Sequence, residues 1–122
     1  MLNILYVGLG GFIGAILRYL VYLSSNYLLG STLPYSTIIV NIIGSFFIGF
    51  LYQFFNNHIF FSESTKLLLT VGLLGGFTTF STFSIDAFIL YQNYGKFFAV
   101  SYIILSVVLS LSALLLGMFA LR

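Results

Sequence analysis

The sequence predicts an all-α membrane protein with four transmembrane helices, the third broken in mid-membrane. Three observations carry that prediction. The 122 residues are 61% hydrophobic and 5% charged, where a soluble domain carries about a quarter charged residues, and mean hydropathy is +1.16. Apolar stretches at about 3–23, 35–55, 67–91 and 97–121 each reach the ~20 residues that cross ~30 Å of hydrocarbon. The third stretch holds Gly75-Gly76-Phe77-Thr78-Thr79-Phe80-Ser81-Thr82-Phe83-Ser84. At about 100° per residue its hydroxyls point all round the axis, so no face of a straight helix collects them. Paired glycines and threonines are also poor helix formers. Non-helical backbone is tolerated at bilayer depth only when buried in protein or lining a watery cavity. This stretch is therefore the candidate working centre.

The length is that of one domain, residues 1–122. The chain has no Cys and no Trp, so disulfides and thiolate metal sites are excluded. A net charge of +2 from so few charged residues makes no nucleic-acid surface. Met1 to Leu17 contains no basic residue, which reads against a secretory signal peptide. Loops are expected at Ser24-Ser25-Asn26, Gly30-Ser31-Thr32-Leu33-Pro34, Asn56-Asn57-His58, Ser62-Glu63-Ser64-Thr65 and Gln92-Asn93-Tyr94-Gly95. Ser64 or Thr65 is the expected cap of the third helix.

Orientation is nearly balanced. With four spans both termini share one side, which carries Lys66 and Arg122, while the other carries Lys96 and, if it reaches the interface, Arg18. Lys and Arg counts set orientation, so two readings stand: a chain that inserts both ways, or a weakly N-in protein.

In the first span Gly10, Gly11, Gly14 and Arg18 fall within about 100° of one another, a small-residue face suited to close helix packing. Arg18 either points inward with that face, a functional sign for an intramembrane cation, or snorkels to the interface. In the second span Thr37, Asn41, Gly44 and Ser45 share a face. The Asn41 amide needs partners inside lipid, as helix–helix glue or as the wall of a polar pathway with donors and an acceptor. In the fourth span Tyr102, Ser106 and Ser110 recur at i, i+4, i+8 and suggest a hydroxyl track, although a single membrane Ser often bonds its own backbone. Phe80 and Phe83 share a face of the third span. They are either ordinary bulk or, beside a polar break, ring edges whose positive rim suits an anion.

Catalytic chemistry is missing. His58 stands in a loop, Glu63 and Asp86 are the only acids, and neither metal-ligand spacing nor a phosphate loop is present. An enzyme is not expected. Carbonyls freed at Gly75 to Thr78 are hard oxygen ligands of the kind that hold Na⁺ in unwound membrane helices.

These residues resemble the CrcB/Fluc fluoride channel family. The matching pieces are Gly10-Gly11-x-x-Gly14-Ala15-x-x-Arg18-Tyr19, Thr37-x-x-Val40-Asn41-x-x-Gly44, and Gly72-x-x-Gly75-Gly76-x-Thr78-Thr79-Phe80-Ser81-Thr82-Phe83-Ser84. They follow the family's order, one per span. The resemblance implies an antiparallel, dual-topology homodimer in a microbial plasma (inner) membrane, with two pathways that export F⁻ passively. It implies that Phe80 and Phe83 line the pathways and that Asn41 orients the rings and coordinates F⁻. Thr37, Tyr102, Ser110 and Ser106 would extend a polar track, and Ser81 and Thr82 would add hydroxyls. It also implies a structural Na⁺ at the dimer interface on backbone carbonyls of Gly75 and Thr78. Asp86 stands where many relatives have Glu; its role and that of Arg18 stay open. Two rivals remain at this level. One is a small proton-coupled exporter, which would have to use Asp86 because the first span has no carboxylate. The other is a structural membrane subunit.

Overall fold

The computed structural model describes residues 1–121, so Arg122 and its share of the charge count lie outside the described residues. Every regular element is helical: α1 (Leu2–Leu29), α2 (Tyr35–Asn57), α3 (Glu63–Leu67), a π-helical segment (Leu68–Leu74), α4 (Gly75–Phe77), α5 (Phe80–Tyr94) and α6 (Lys96–Phe119). By length and composition they make four candidate membrane spans, the third running from Glu63 to Tyr94 over 32 residues.

The helices extend further than the loop signals imply. Ser24, Ser25 and Asn26 lie inside α1; the Ser25 hydroxyl donates to the Tyr22 carbonyl and is buried, so the helix absorbs a side chain that elsewhere would end it. Asn56 and Asn57 belong to α2, and Gln92 to Tyr94 belong to α5. Only Gly95, at φ 87°, separates α5 from α6, a conformation that glycine adopts without steric cost. The α3 cap is Ser62, whose hydroxyl accepts from the Thr65 N–H, not Ser64 or Thr65. Lys66 places its ammonium 5.7 Å from the Phe55 ring centroid, a cation–π contact with the end of α2.

Close packing rests on glycine. A Cβ at Gly10 would collide with the Leu68 carbonyl, and one at Gly14 with the Leu73 carbonyl, so α1 lies directly on the π-helical segment. Gly49 of α2 faces the Leu114 carbonyl of α6, and Gly117 of α6 faces the Phe46 carbonyl of α2. Two backbone-to-backbone seams therefore organise the chain, as expected where helices gain no hydrophobic advantage from pairing in lipid. Beside them Ala87, Leu90, Ala99 and Tyr102 form a small core against Phe83, Leu33 and Ile38.

Because α1 continues to Leu29, Arg18 sits roughly 16 Å along the helix from its end, deeper than a span closing at residue 23 would put it. The guanidinium turns inward, toward the third span.

Candidate functional site

Midway along the third span, Thr78 (φ −81°, ψ 161°) and Thr79 (φ −153°, ψ 125°) are extended. In an uninterrupted helix the Thr79 N–H would bond the Gly75 carbonyl. Here it donates to Asn41 Oδ1 at 2.9 Å, while Asn41 Nδ2 donates to the Thr79 carbonyl at 3.0 Å. One side-chain amide thus satisfies both backbone groups of the residue, replacing bonds that water cannot supply at this depth. Nδ2 keeps a second hydrogen.

The stretch caps itself on the far side. Thr79 Oγ1 accepts from the Thr82 N–H at 3.2 Å and opens α5 as its N-cap. The Thr82 and Ser81 hydroxyls lie 3.2 Å from the same oxygen. The Thr78 hydroxyl donates back to the Leu74 carbonyl. From the opposite face Arg18 Nη1 donates to the Thr78 carbonyl at 3.3 Å, which resolves the two orientations open for that side chain in favour of the inward one.

A cleft of about 510 Å³ opens beside this junction between α2, the third span and α6. Asn41, Phe80 and Phe83 line it, together with Gly75 and Thr78 and, from α6, Ser106 and Ser110. The Phe80 and Phe83 rings stand 5.3 Å apart at 45°, and Phe83 lies 5.5 Å from Tyr102, so the aromatic row continues from the third span to the fourth. Phe80 is 77% exposed: its ring projects out of its own chain. Ser106 is the opposite case, 4% exposed with a hydroxyl oxygen that has no hydrogen-bond partner.

Thr37 and Tyr102 meet elsewhere. Both donate to Asp86 Oδ2, at 2.6 Å and 3.3 Å, joining α2, α5 and α6 below Phe83. Thr37 and Thr82 also share a second cavity of about 290 Å³ with Arg18, on the other side of Thr79. The predicted polar residues therefore fall into a cleft, a carboxylate node and an opposite cavity. Ser81 joins them only through Thr79.

Two residues of the site had no role assigned from sequence. Thr79 lines both cavities and holds the junction together; its signal was a Thr three residues before Thr82, the spacing of an N-cap bond. Thr70 also lines the cleft, although its hydroxyl donates to the Lys66 carbonyl. Nothing in its apolar flanks marked it.

The carbonyls invoked for a cation can be tested on this geometry. The Gly75 carbonyl lacks its usual helical partner because Thr79 bonds Asn41, and Gly75 is exposed on the isolated chain. The Thr78 carbonyl accepts one bond from Arg18 and has a second lone pair. Hard, neutral oxygens of this kind suit an alkali cation, with Arg18 as a resident positive neighbour.

A family model described as CrcB-like protein, Camphor Resistance (CrcB), matches residues 5–118. Several curated proteins named Fluoride-specific ion channel FluC align over nearly the whole chain. That of Ruminiclostridium cellulolyticum is 44% identical over 96% of this chain and 90% of its own length. That of Agrobacterium fabrum is 42% identical, with 97% and 94% covered. The Methanosarcina acetivorans protein named Fluoride-specific ion channel FluC 1 is 43% identical, with 96% and 88% covered.

Proposed function

Since the chain belongs to the CrcB-like family, we infer that it is a fluoride-selective channel, a multi-pass membrane protein and not an enzyme, which lets F⁻ leave the cytoplasm passively. The observation that carries this reading is the cleft at the helix junction, where the orphaned Ser106 hydroxyl and the Phe80 and Phe83 rings meet at bilayer depth. A buried hydroxyl without a partner costs stability unless something accepts its hydrogen. A small anion would.

The cleft carries no basic side chain, and the chemistry of selectivity follows from that. Fluoride is small and holds its water tightly, so a narrow path must offer close donors in exchange. Ring edges and hydroxyls do so without a fixed charge, and weak binding at several sites lets the ion leave. Chloride is too large to gain the same compensation. In this reading Asn41 contributes its second N–H, and Ser106 and Ser110 continue the row along α6.

The working unit is an antiparallel homodimer of dual-topology chains, with the third helix broken in mid-membrane and two pathways. Several features support it. Phe80, Ser81, Thr82, Ser84 and Gly75 are exposed on the single chain, yet hydroxyls and free backbone at this depth need protein around them. A ring that lines the cleft while projecting out of its chain reaches naturally toward a second copy. A structural Na⁺ on the Gly75 and Thr78 carbonyls would supply fixed positive charge near the middle of the bilayer; this chain's part is to present those oxygens.

Proteoliposomes holding the purified protein should release F⁻ and retain Cl⁻, read with ion-selective electrodes, without dependence on a proton gradient. A proton-coupled exporter would lose flux when the gradient collapses, and a structural subunit would show none. Phe80→Ile or Phe83→Ile should cut F⁻ flux strongly, and normal flux in either would remove the ring edges from the pathway. Ser106→Ala separates binding from folding. It deletes an unsatisfied buried hydroxyl, so the thermal midpoint in detergent should hold or rise while F⁻ flux falls several-fold.

A further inference from the structure

Three apolar residues, Ile59, Phe60 and Phe61, stand in the turn between α2 and α3, and they do not share one environment. Phe61 folds back: its ring lies 5.3 Å from Phe54 and 5.5 Å from Phe55. On the other side of the turn His58 stacks on Phe54 at 4.5 Å and donates from Nδ1 to the Phe54 carbonyl at 2.9 Å. Between these two fastened points Ile59 and Phe60 project outward, 85% and 96% exposed. A turn held on both sides projects them as part of the fold. Two large apolar side chains directed at bulk water would be unfavourable.

The position of the turn says what covers it. α2 has 23 residues, about 34 Å of helix, so in crossing ~30 Å of hydrocarbon it ends with Asn57 at headgroup level. The surroundings have the mixed chemistry of that zone. Asn56, Asn57, Ser62 and Glu63 are exposed, and Lys66 keeps its ammonium 5.7 Å from the Phe55 ring. A dry protein contact would strand those amides and the carboxylate, whereas a bilayer surface offers water and acyl chain side by side.

We propose that Ile59 and Phe60 are an interfacial anchor, which inserts beside the glycerol backbones of the phospholipids in the leaflet on its own side and fixes the depth of the third span. The anchor leads directly into that span through the Ser62 cap. From Glu63 to Phe77 the helical segments climb roughly 20 Å, half of a ~40 Å bilayer counted with its headgroups. A turn held at the surface therefore carries the extended Thr78 and Thr79 to the midplane. The joint at the other end of the span is Gly95 alone, which has no side chain to insert. This inference goes beyond the channel reading, since it concerns phospholipid and needs only that the helices span.

The chain has no Trp, so Phe60→Trp introduces a single indole from which depth can be read. The probe is a phosphatidylcholine–phosphatidylglycerol vesicle whose acyl chains carry bromine at one known depth. Bromine on the carbons nearest the glycerol should quench the indole several-fold more than bromine near the chain ends, and aqueous iodide should leave it bright. Quenching by iodide and not by bromine would place the turn in water. Quenching by neither would place it against protein, such as a second copy of the chain. Either result overturns the proposal. Ile59→Trp, measured alongside, keeps the test if Phe60→Trp does not fold.

Bilayer thickness tests the depth. As acyl chains are lengthened, F⁻ flux through the double variant Ile59→Ser, Phe60→Ser should fall several-fold in bilayers that the native protein still tolerates, while its thermal midpoint in detergent stays near native. The same thickness dependence in both proteins would mean that the turn touches lipid but sets no depth, and the proposal fails. Native protein without F⁻ flux at any thickness would instead refute the channel reading, and the quenching then decides the anchor alone.

Discussion

Asn41→Leu should leave the chain unable to hold its central junction. The amide bonds both the N–H and the C=O of Thr79, and leucine offers neither partner. Two backbone groups would stand unsatisfied at bilayer depth, where each costs about 1–3 kcal/mol, for a total of roughly 2–6 kcal/mol. That is comparable to the whole stability of many domains. The expected result is a sharply lowered thermal midpoint in detergent, poor yield of folded protein and no F⁻ efflux. Asn41→Asp retains an acceptor for the Thr79 N–H and loses the donor to its carbonyl, so it should fall between native and leucine variants in stability. A leucine variant that melts like the native protein would show that the junction is held by something other than this amide.

The second large effect concerns the seam between α1 and the third span. Gly14→Ala places a methyl group against the Leu73 carbonyl and the Phe77 amide. Neither is the tip of a flexible side chain, so α1 must shift as a body. Overpacking of this kind costs about 1–3 kcal/mol, and it acts where Arg18 is delivered to Thr78 one turn further along α1. Gly8→Ala is the matched control: nothing lies within 4 Å of a Cβ there, and replacing a helical glycine should stabilise by about 0.5–1 kcal/mol. Thermal midpoints of the two variants should therefore move in opposite directions. A shift of the same sign and size in both would remove the seam from the account of how α1 packs.

Much of this was legible before any coordinates. Apolar length is a coarse quantity, so four spans could be read directly. The crowd of hydroxyls from Thr78 to Ser84 could not be served by one helical face, and extended backbone at Thr78 and Thr79 is the local structure found there. Helix periodicity put Gly10, Gly14 and Arg18 together on one side of α1, where the glycines now touch the third span.

Other features were hidden for identifiable reasons. Loop signals from Ser, Asn and Gln are statistical, and a buried helix overrides them when its own carbonyls take the side-chain hydrogens, as Tyr22 does for Ser25. The partner of Asn41 is a backbone, and the letters of a sequence do not name backbone partners. Nor could the sequence reveal that Thr37 and Tyr102 share Asp86: the three residues come from three helices, and only the packing of α2 on α6 brings them to one oxygen. The π-helical turn before the junction, where the Gly75 N–H bonds both Gly72 and Thr70, left no compositional mark either.

The single-residue joint at Gly95 bears on how the protein is made. With a single residue between them, α5 and α6 form a closed hairpin, so the direction taken by one fixes the direction of the other. Their mutual contacts, Phe83 on Tyr102 and Tyr102 on Asp86, join residues close in sequence and can form as soon as the ribosome releases them. The bond between Asn41 and Thr79 must wait for a more distant helix. Lys96, the first residue of α6, is the one cation at the bend of that hairpin. Positive charge biases which end stays in the cytoplasm, so Lys96 acts on the heading of both helices of the hairpin at once.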